Sequence, residues 1–209
     1  SVITGSLADL PRGITSTVYL FSIGTNSVIT GSLADLPRGI TYQVVLSSIG
    51  TNSVITGSLA DLPRGITSTV LLWSIGTNSV ITGSLADLPR GITYQVLLAS
   101  IGTNSDVTGS PDDASGTSLT ELSLFGQGLS DVAGPVSAAR LKSTVTRVRL
   151  YDCNFSPQDT DDNIINLNTA LGAGTGESPR TAIFETNRTS ASDDAVAGLT
   201  AKGWTVTFA

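Results

Sequence analysis

The chain has 209 residues, of which 40% are hydrophobic and only 13% charged, with 22 glycines, one cysteine and no histidine. Its 17 acidic side chains outnumber 11 basic ones, and the net charge of −6 argues against nucleic acid or an anionic membrane surface as the main partner. The lack of histidine removes Ser/His nucleophiles and most zinc sites, the lone Cys153 allows no internal disulfide and reads as a small buried residue, and no apolar run reaches transmembrane length.

Residues 1–104 are four copies of a 26-residue unit, each starting SVITGSLADLPRGIT, at Ser1, Ser27, Ser53 and Ser79, with no insertion or deletion. So short a unit cannot bury a core alone and must stack on its neighbours, which predicts a solenoid. The chain opens in mid-repeat, as a fragment, a processed product or an engineered piece would. Val2, Ile3, Leu7 and Leu10 are therefore expected at an open, adhesive N-terminal end.

Each unit carries one strand-like run, at 17–21, 43–47, 69–73 and 95–99. Strand side chains alternate between faces, so Val18 and Leu20, with Val44, Leu46, Val70, Leu72, Val96 and Leu98, are expected to face the core. Residues 17, 19 and 21 and their equivalents then face outward. Each strand recurs one coil later, so neighbours run parallel at about 4.8 Å spacing. Gly24 and Asn26 of SIGTN supply turn chemistry. In the return leg, Val28 or Ile29, Leu33 and Leu36 are expected inside, and Pro37 favours extended chain or a short 3₁₀ turn over a helix. Asn26, Asn52, Asn78 and Asn104 recur in one column and predict a ladder of side-chain amides bonded to loop backbone. Asp9 and Arg12 recur as DLPR, and each Asp is expected to lean toward an Arg of its own or the adjacent coil.

These residues resemble a known family. V-x-L followed by ITGSLADLP is similar to a leucine-rich repeat, of the form L-x-x-L-x-L-x-x-N-x-L-x-G, and in particular to the bacterial and phage-type variety. Val18 and Leu20 match the strand leucines, Asn26 the ladder asparagine, Ile29–Gly31 the L-x-G portion and Leu36–Pro37 the LP. The extra residues between strand and asparagine, FSIGTN in the first unit, depart from that pattern. The resemblance covers 1–104 strongly and 105–209 weakly. It implies a curved solenoid with a parallel sheet on its concave face, and a binding role toward protein or glycan without catalysis.

From Ser105 the repeat decays, and all the net charge falls here. Residues 1–104 balance four Asp against four Arg, whereas 105–209 hold 13 acids and seven bases. Residues 105–156 read as degenerate repeats: TSLTELSLFGQG (117–128) and STVTRVRLYDCNFS (143–156) keep the strand spacing. Residues 157–209 read as helix-containing, α/β-type capping repeats of the same solenoid. Ser156 caps a helix with Pro157 in its first turn and Gly172 after its end. PRTAIFETN (179–187) is a strand. Ser190 or Ser192 caps a helix running to about Lys202, Gly203 stops it, and 204–208 form the last strand.

Chemistry is sparse. PDDASG (111–116) lacks the spacing of a calcium loop, DTDD (159–162) reads as helix-start acids, and GAGTG (172–176) lacks the Lys-Ser/Thr and helix of a phosphate loop. Sequons stand at Asn154 and Asn187. No enzyme activity, cofactor or metal site is expected.

The informative feature is the variation. Only the columns beginning at 16, 17, 19 and 21 differ among the four units, and the other 22 of 26 positions are identical. Three of these columns have the outward strand parity, and none holds a charge. The candidate ligand-binding residues are accordingly Thr17, Tyr19, Phe21, Tyr42, Gln43, Val45, Ser47, Thr69, Leu71, Trp73, Tyr94, Gln95, Leu97 and Ala99. Exposed aromatics are common at recognition hot spots, so a protein or glycan ligand is expected, on an extracellular, cell-surface or virion-associated molecule. The alternative is an engineered or natural self-assembly scaffold, associating through its open end or its aromatic face.

Overall fold

A computed structural model describes residues 2–114, 119–138, 145–171 and 180–209. Each 26-residue unit winds into one coil with two strands. The first strands of the units are β1 (Thr4–Ser6), β3 (Val28–Ser32), β5 (Val54–Ser58) and β7 (Val80–Ser84). The second strands are β2 (Thr17–Phe21), β4 (Gln43–Ser47), β6 (Thr69–Trp73) and β8 (Gln95–Ala99), matching the strand-like runs residue for residue. Beyond the repeats come β9 (Asp106–Gly109), α1 (Pro111–Ala114), β10 (Glu121–Phe125), β11 (Asp131–Val132), β12 (Arg147–Tyr151), α2 (Pro157–Ala170), β13 (Arg180–Phe184), α3 (Asp193–Ala201) and β14 (Trp204–Phe208).

The strands form two sheets, parallel throughout. Sheet A has the order β1-β3-β5-β7-β9-β11 and sheet B the order β14-β13-β12-β10-β8-β6-β4-β2. In sheet B the partner of each repeat residue lies one unit on: Val18 pairs with Val44, Val44 with Val70 and Val70 with Val96. The return leg is thus extended chain, a second sheet in its own right, followed by a single 3₁₀ turn such as Leu33–Asp35. That turn is held by a capping box, in which Ser32 Oγ accepts from Ala34 N–H while Asp35 accepts from Ser32 N–H.

The core lies between the sheets. In the second coil it consists of Ile29, Leu33, Leu36, Ile40, Val44, Leu46 and Ile49, all fully or almost fully buried. Each such side chain is worth about 1.5–3 kcal/mol of burial. Ile29, not Val28, is the inward residue of its pair, because Val28 is only half-buried.

The asparagine ladder is not formed. Asn26, Asn52, Asn78 and Asn104 are exposed, and the ladder is built by the serine that follows each of them. Ser53 Oγ donates to Ile49 C=O of the same turn (2.7 Å) and accepts from Ile29 N–H of the preceding coil (2.9 Å). Ser27, Ser79 and Ser105 repeat the arrangement. A short hydroxyl fits between coils where an amide would not. The DLPR charges also differ from expectation. Asp carboxylates cap their own 3₁₀ turns, while Arg12, Arg38 and Arg64 reach the backbone carbonyls of Asp35, Asp61 and Asp87 in the next coil. Like charges one coil apart are thereby diverted to separate backbone partners.

At the C-terminal end, Ser156 caps α2 through a full capping box with Asp159, and Pro157 is in its first turn. Ser192 stands at the N-cap position of α3, without a side-chain cap hydrogen bond, and Thr189 caps the preceding 3₁₀ turn Ser190–Ser192 by accepting from Ala191 N–H. Gly203 takes φ +82 where α3 stops. Of the acidic loop at 111–116, Pro111–Ala114 make one helical turn and the rest lies outside the described residues, as does GAGTG. Among the described residues no helix is long and apolar enough to cross a membrane.

Candidate functional site

With position 18 buried between the sheets, and position 20 likewise except for the half-buried Leu20 of the first coil, positions 17, 19 and 21 stand on the outer face of sheet B. Strand pairing aligns them in rows across the coils. The row at position 21 reads Phe21, Ser47, Trp73, Ala99, Phe125 and Tyr151. The row at 19 reads Tyr19, Val45, Leu71, Leu97, Ser123 and Arg149, and that at 17 reads Thr17, Gln43, Thr69, Gln95, Glu121 and Arg147. At the strand entrance, backbone bonds align Ser16, Tyr42, Ser68 and Tyr94.

Tyr19, Phe21, Tyr42, Trp73 and Tyr94 are each between 41% and 58% exposed. Thr17, Gln43, Leu71 and Gln95 are half-buried. The remaining five candidates are not open to solvent: Val45, Ser47, Thr69, Leu97 and Ala99 are buried. Val45, Leu97 and Ala99 are nevertheless outside the core between the sheets. The cause is their neighbours. Ser47 sits in register between Phe21 and Trp73, and Ala99 between Trp73 and Phe125. Large side chains cover the small ones on either side.

The row at 21 is therefore built as ring, pit, ring, pit. Rings on adjacent strands, about 4.8 Å apart, must stack face to face, whereas rings on alternate strands have room to settle over a small neighbour. Phe125 and Tyr151, which are adjacent, do stack, with centroids 4.7 Å apart and planes 12° from parallel. Tyr19 and Phe21 stack at 5.7 Å on one strand. One polar atom pays for this arrangement: Ser47 Oγ, buried between its flanking rings, has no hydrogen-bond partner. Such a group costs about 1–3 kcal/mol.

Two hollows adjoin the rows. One, of ≈ 380 Å³, lies between Tyr42 and Tyr94, with Ser68 between them. The other is a groove of ≈ 270 Å³ that crosses five coils from Thr25 to Gln127, lined by Ser48, Ser74, Ser100, Thr51 and Thr77. Its serines directly follow the residues of the row at 21, so groove and row run side by side. They owe their position to backbone geometry. Ser22, Ser48, Ser74 and Ser100 hold φ near +50, and the same column continues as Gly126 and Asp152, also at positive φ. The chain turns sharply there and presents its hydroxyls along one edge.

Past the fourth coil the face becomes charged. Glu121 is buried and accepts from Arg147 Nη1 (3.1 Å) and Ser123 Oγ, while the Arg149 guanidinium lies 5.9 Å from the Phe125 ring centroid. Sequence reasoning missed Phe125, Tyr151 and the serine groove. The first two were legible by carrying the row at 21 forward by 26 residues, and the third as a hydroxyl constant in every turn.

Two titratable groups away from the rows are shifted by their surroundings. Burial pushes the Cys153 thiol up to about 12, with Glu185 and Asp152 adding to the shift, so it is no nucleophile at neutral pH. Burial alone would raise the Asp161 carboxyl. Hydrogen bonds from Ser192 Oγ (2.6 Å) and from the hydroxyl and N–H of Thr189, with the Arg188 charge nearby, hold it below its ordinary value. It fastens the start of α3 to α2.

No protein-family model, curated protein or solved structure matches the chain. The face offers aligned rings and, beside them, a line of hydroxyls.

Proposed function

We propose that this chain is a non-catalytic recognition module that binds a protein or glycan through the outer face of sheet B. The observation that carries the reading is the coincidence of variation and exposure. All five large, well-exposed aromatics of the strand face and its entrance fall in the four columns that vary, and the other 22 columns are constant. Aromatic rings bring large contact area with few rotatable bonds, which is why they dominate hot spots. The resemblance to leucine-rich repeats points the same way, and an extracellular, cell-surface or virion-associated setting goes with the reading. A scaffold that assembles with itself through the same aromatics is the competing reading.

The test is the double variant Phe21→Ser/Trp73→Ser, compared with the parent on immobilised protein and glycan arrays and by light scattering. Binding to an arrayed ligand that the double variant loses supports recognition. Concentration-dependent association of the parent that the variant abolishes, with no ligand found, supports the scaffold instead.

A further inference from the structure

We propose that the groove beside the row at position 21 takes an extended, uncharged β-1,4-linked glycan laid across the coils, one sugar per coil, with alternate sugars stacked on Phe21 and Trp73. This deepens the recognition reading above and rests on it.

Period is the first ground. Successive coils are about 4.8 Å apart, so Phe21 and Trp73 stand about 9.6 Å apart. An extended β-1,4-linked glycan repeats close to these lengths per sugar and per pair of sugars. Its successive sugars are turned over, so every second one offers the same face to a ring. An extended peptide, repeating about every 6.8 Å, falls out of step. A polyproline helix repeats about every 9.3 Å, but with three residues in each repeat. The interval from Phe21 to Trp73 spans two coils, which fits two sugars and not three residues.

Chemistry and charge agree with period. A sugar is apolar on its faces and hydroxylated at its edges. The row supplies ring faces, and the adjoining groove supplies Ser48, Ser74, Ser100, Thr51 and Thr77. No charged side chain lines the groove or stands in the row from Phe21 to Ala99, while the chain as a whole carries −6, so a neutral glycan suits the site and a polyanion does not.

The experiment is calorimetric titration of the full chain with cellohexaose, chitohexaose, maltohexaose and decaproline. It is repeated for Trp73→Ser, for Trp73→Ser/Ala99→Trp and for Thr56→Ala on the opposite sheet, each first shown to melt as the parent does. The expected result is binding of a β-1,4-linked hexaose and not of maltohexaose or decaproline. Trp73→Ser weakens it about tenfold or more, as a central aromatic anchor should. Moving the ring one coil along, to position 99, keeps the aromatic count but breaks the period and does not restore affinity. Thr56→Ala binds like the parent. Failure of both β-1,4-linked hexaoses, equal binding of maltohexaose, preference for decaproline, or full rescue by the shifted ring would each overturn the proposal. If the hexaoses fail while an arrayed ligand is still lost in the Phe21→Ser/Trp73→Ser variant, recognition by this face stands and only its ligand class falls. A hexaose bound equally by parent and Trp73→Ser would overturn the glycan site and leave recognition by the face to be decided by the array comparison.

Discussion

Replacing Ser53 with alanine removes one hydroxyl and strips two buried backbone groups of their partners. Ile49 C=O loses its donor at 2.7 Å, and Ile29 N–H, one coil away, loses its acceptor at 2.9 Å. The site is fully buried, so no solvent water stands by to replace the hydroxyl. Each orphaned group costs about 1–3 kcal/mol, and the pair therefore about 2–6 kcal/mol. In a solenoid that loss falls on one coil-to-coil interface. Guanidinium unfolding should show the full loss, and amide exchange should show Ile29 N–H losing protection ahead of residues in distant coils. The control is Asn52→Ala, one residue earlier and exposed, which should change stability by less than about 0.5 kcal/mol. A near-neutral Ser53→Ala, or an Asn52→Ala that costs more, would refute the serine ladder.

Two further outcomes follow from the same geometry. Gly76 holds φ +112, and a Cβ there would lie 2.0 Å from Ser53 C=O, so Gly76→Ala should cost several kcal/mol (about 1–2 from the backbone alone), whereas Gly13→Ala, with nothing within 4 Å, should be neutral or slightly stabilising in thermal melts. Asp161→Asn should cost about 1–3 kcal/mol at neutral pH. The carboxyl is held below its ordinary value in the folded chain, so its contribution is present above the unfolded value of about 3.9 and is lost as pH falls through the lower folded one. Urea unfolding at neutral pH and at about pH 3 should therefore show the gap between variant and parent narrowing.

Much of the architecture was legible because periodicity and parity are strong signals. A 26-residue repeat required stacking, and V-x-L fixed both the strand and its inward side. Ser156, Pro157 and the acids after it marked α2 because a helix start has fixed chemical needs. Three features were not legible for physical reasons. Whether VITGS forms a second sheet depends on pairing with the next coil, which local propensity does not report. Asparagine and serine are both plausible ladder residues in a turn, and only the space between coils chooses the shorter one. Exposure on the strand face depends on the neighbour as well as the residue: Val45 and Ala99 have outward parity yet lie under larger side chains. Of the fourteen candidate residues, five are well exposed, four half-buried and five buried.

The ring-and-pit order of the row also makes the chain a ruler graduated in pairs of coils. Insertion or loss of 52 residues within the repeats leaves every large side chain beside a small one and merely changes the number of graduations. Insertion or loss of 26 brings two large or two small side chains together at the join. Changes of length that keep the face intact therefore come in double steps, and the smallest heritable unit of this surface is twice the smallest unit of its fold.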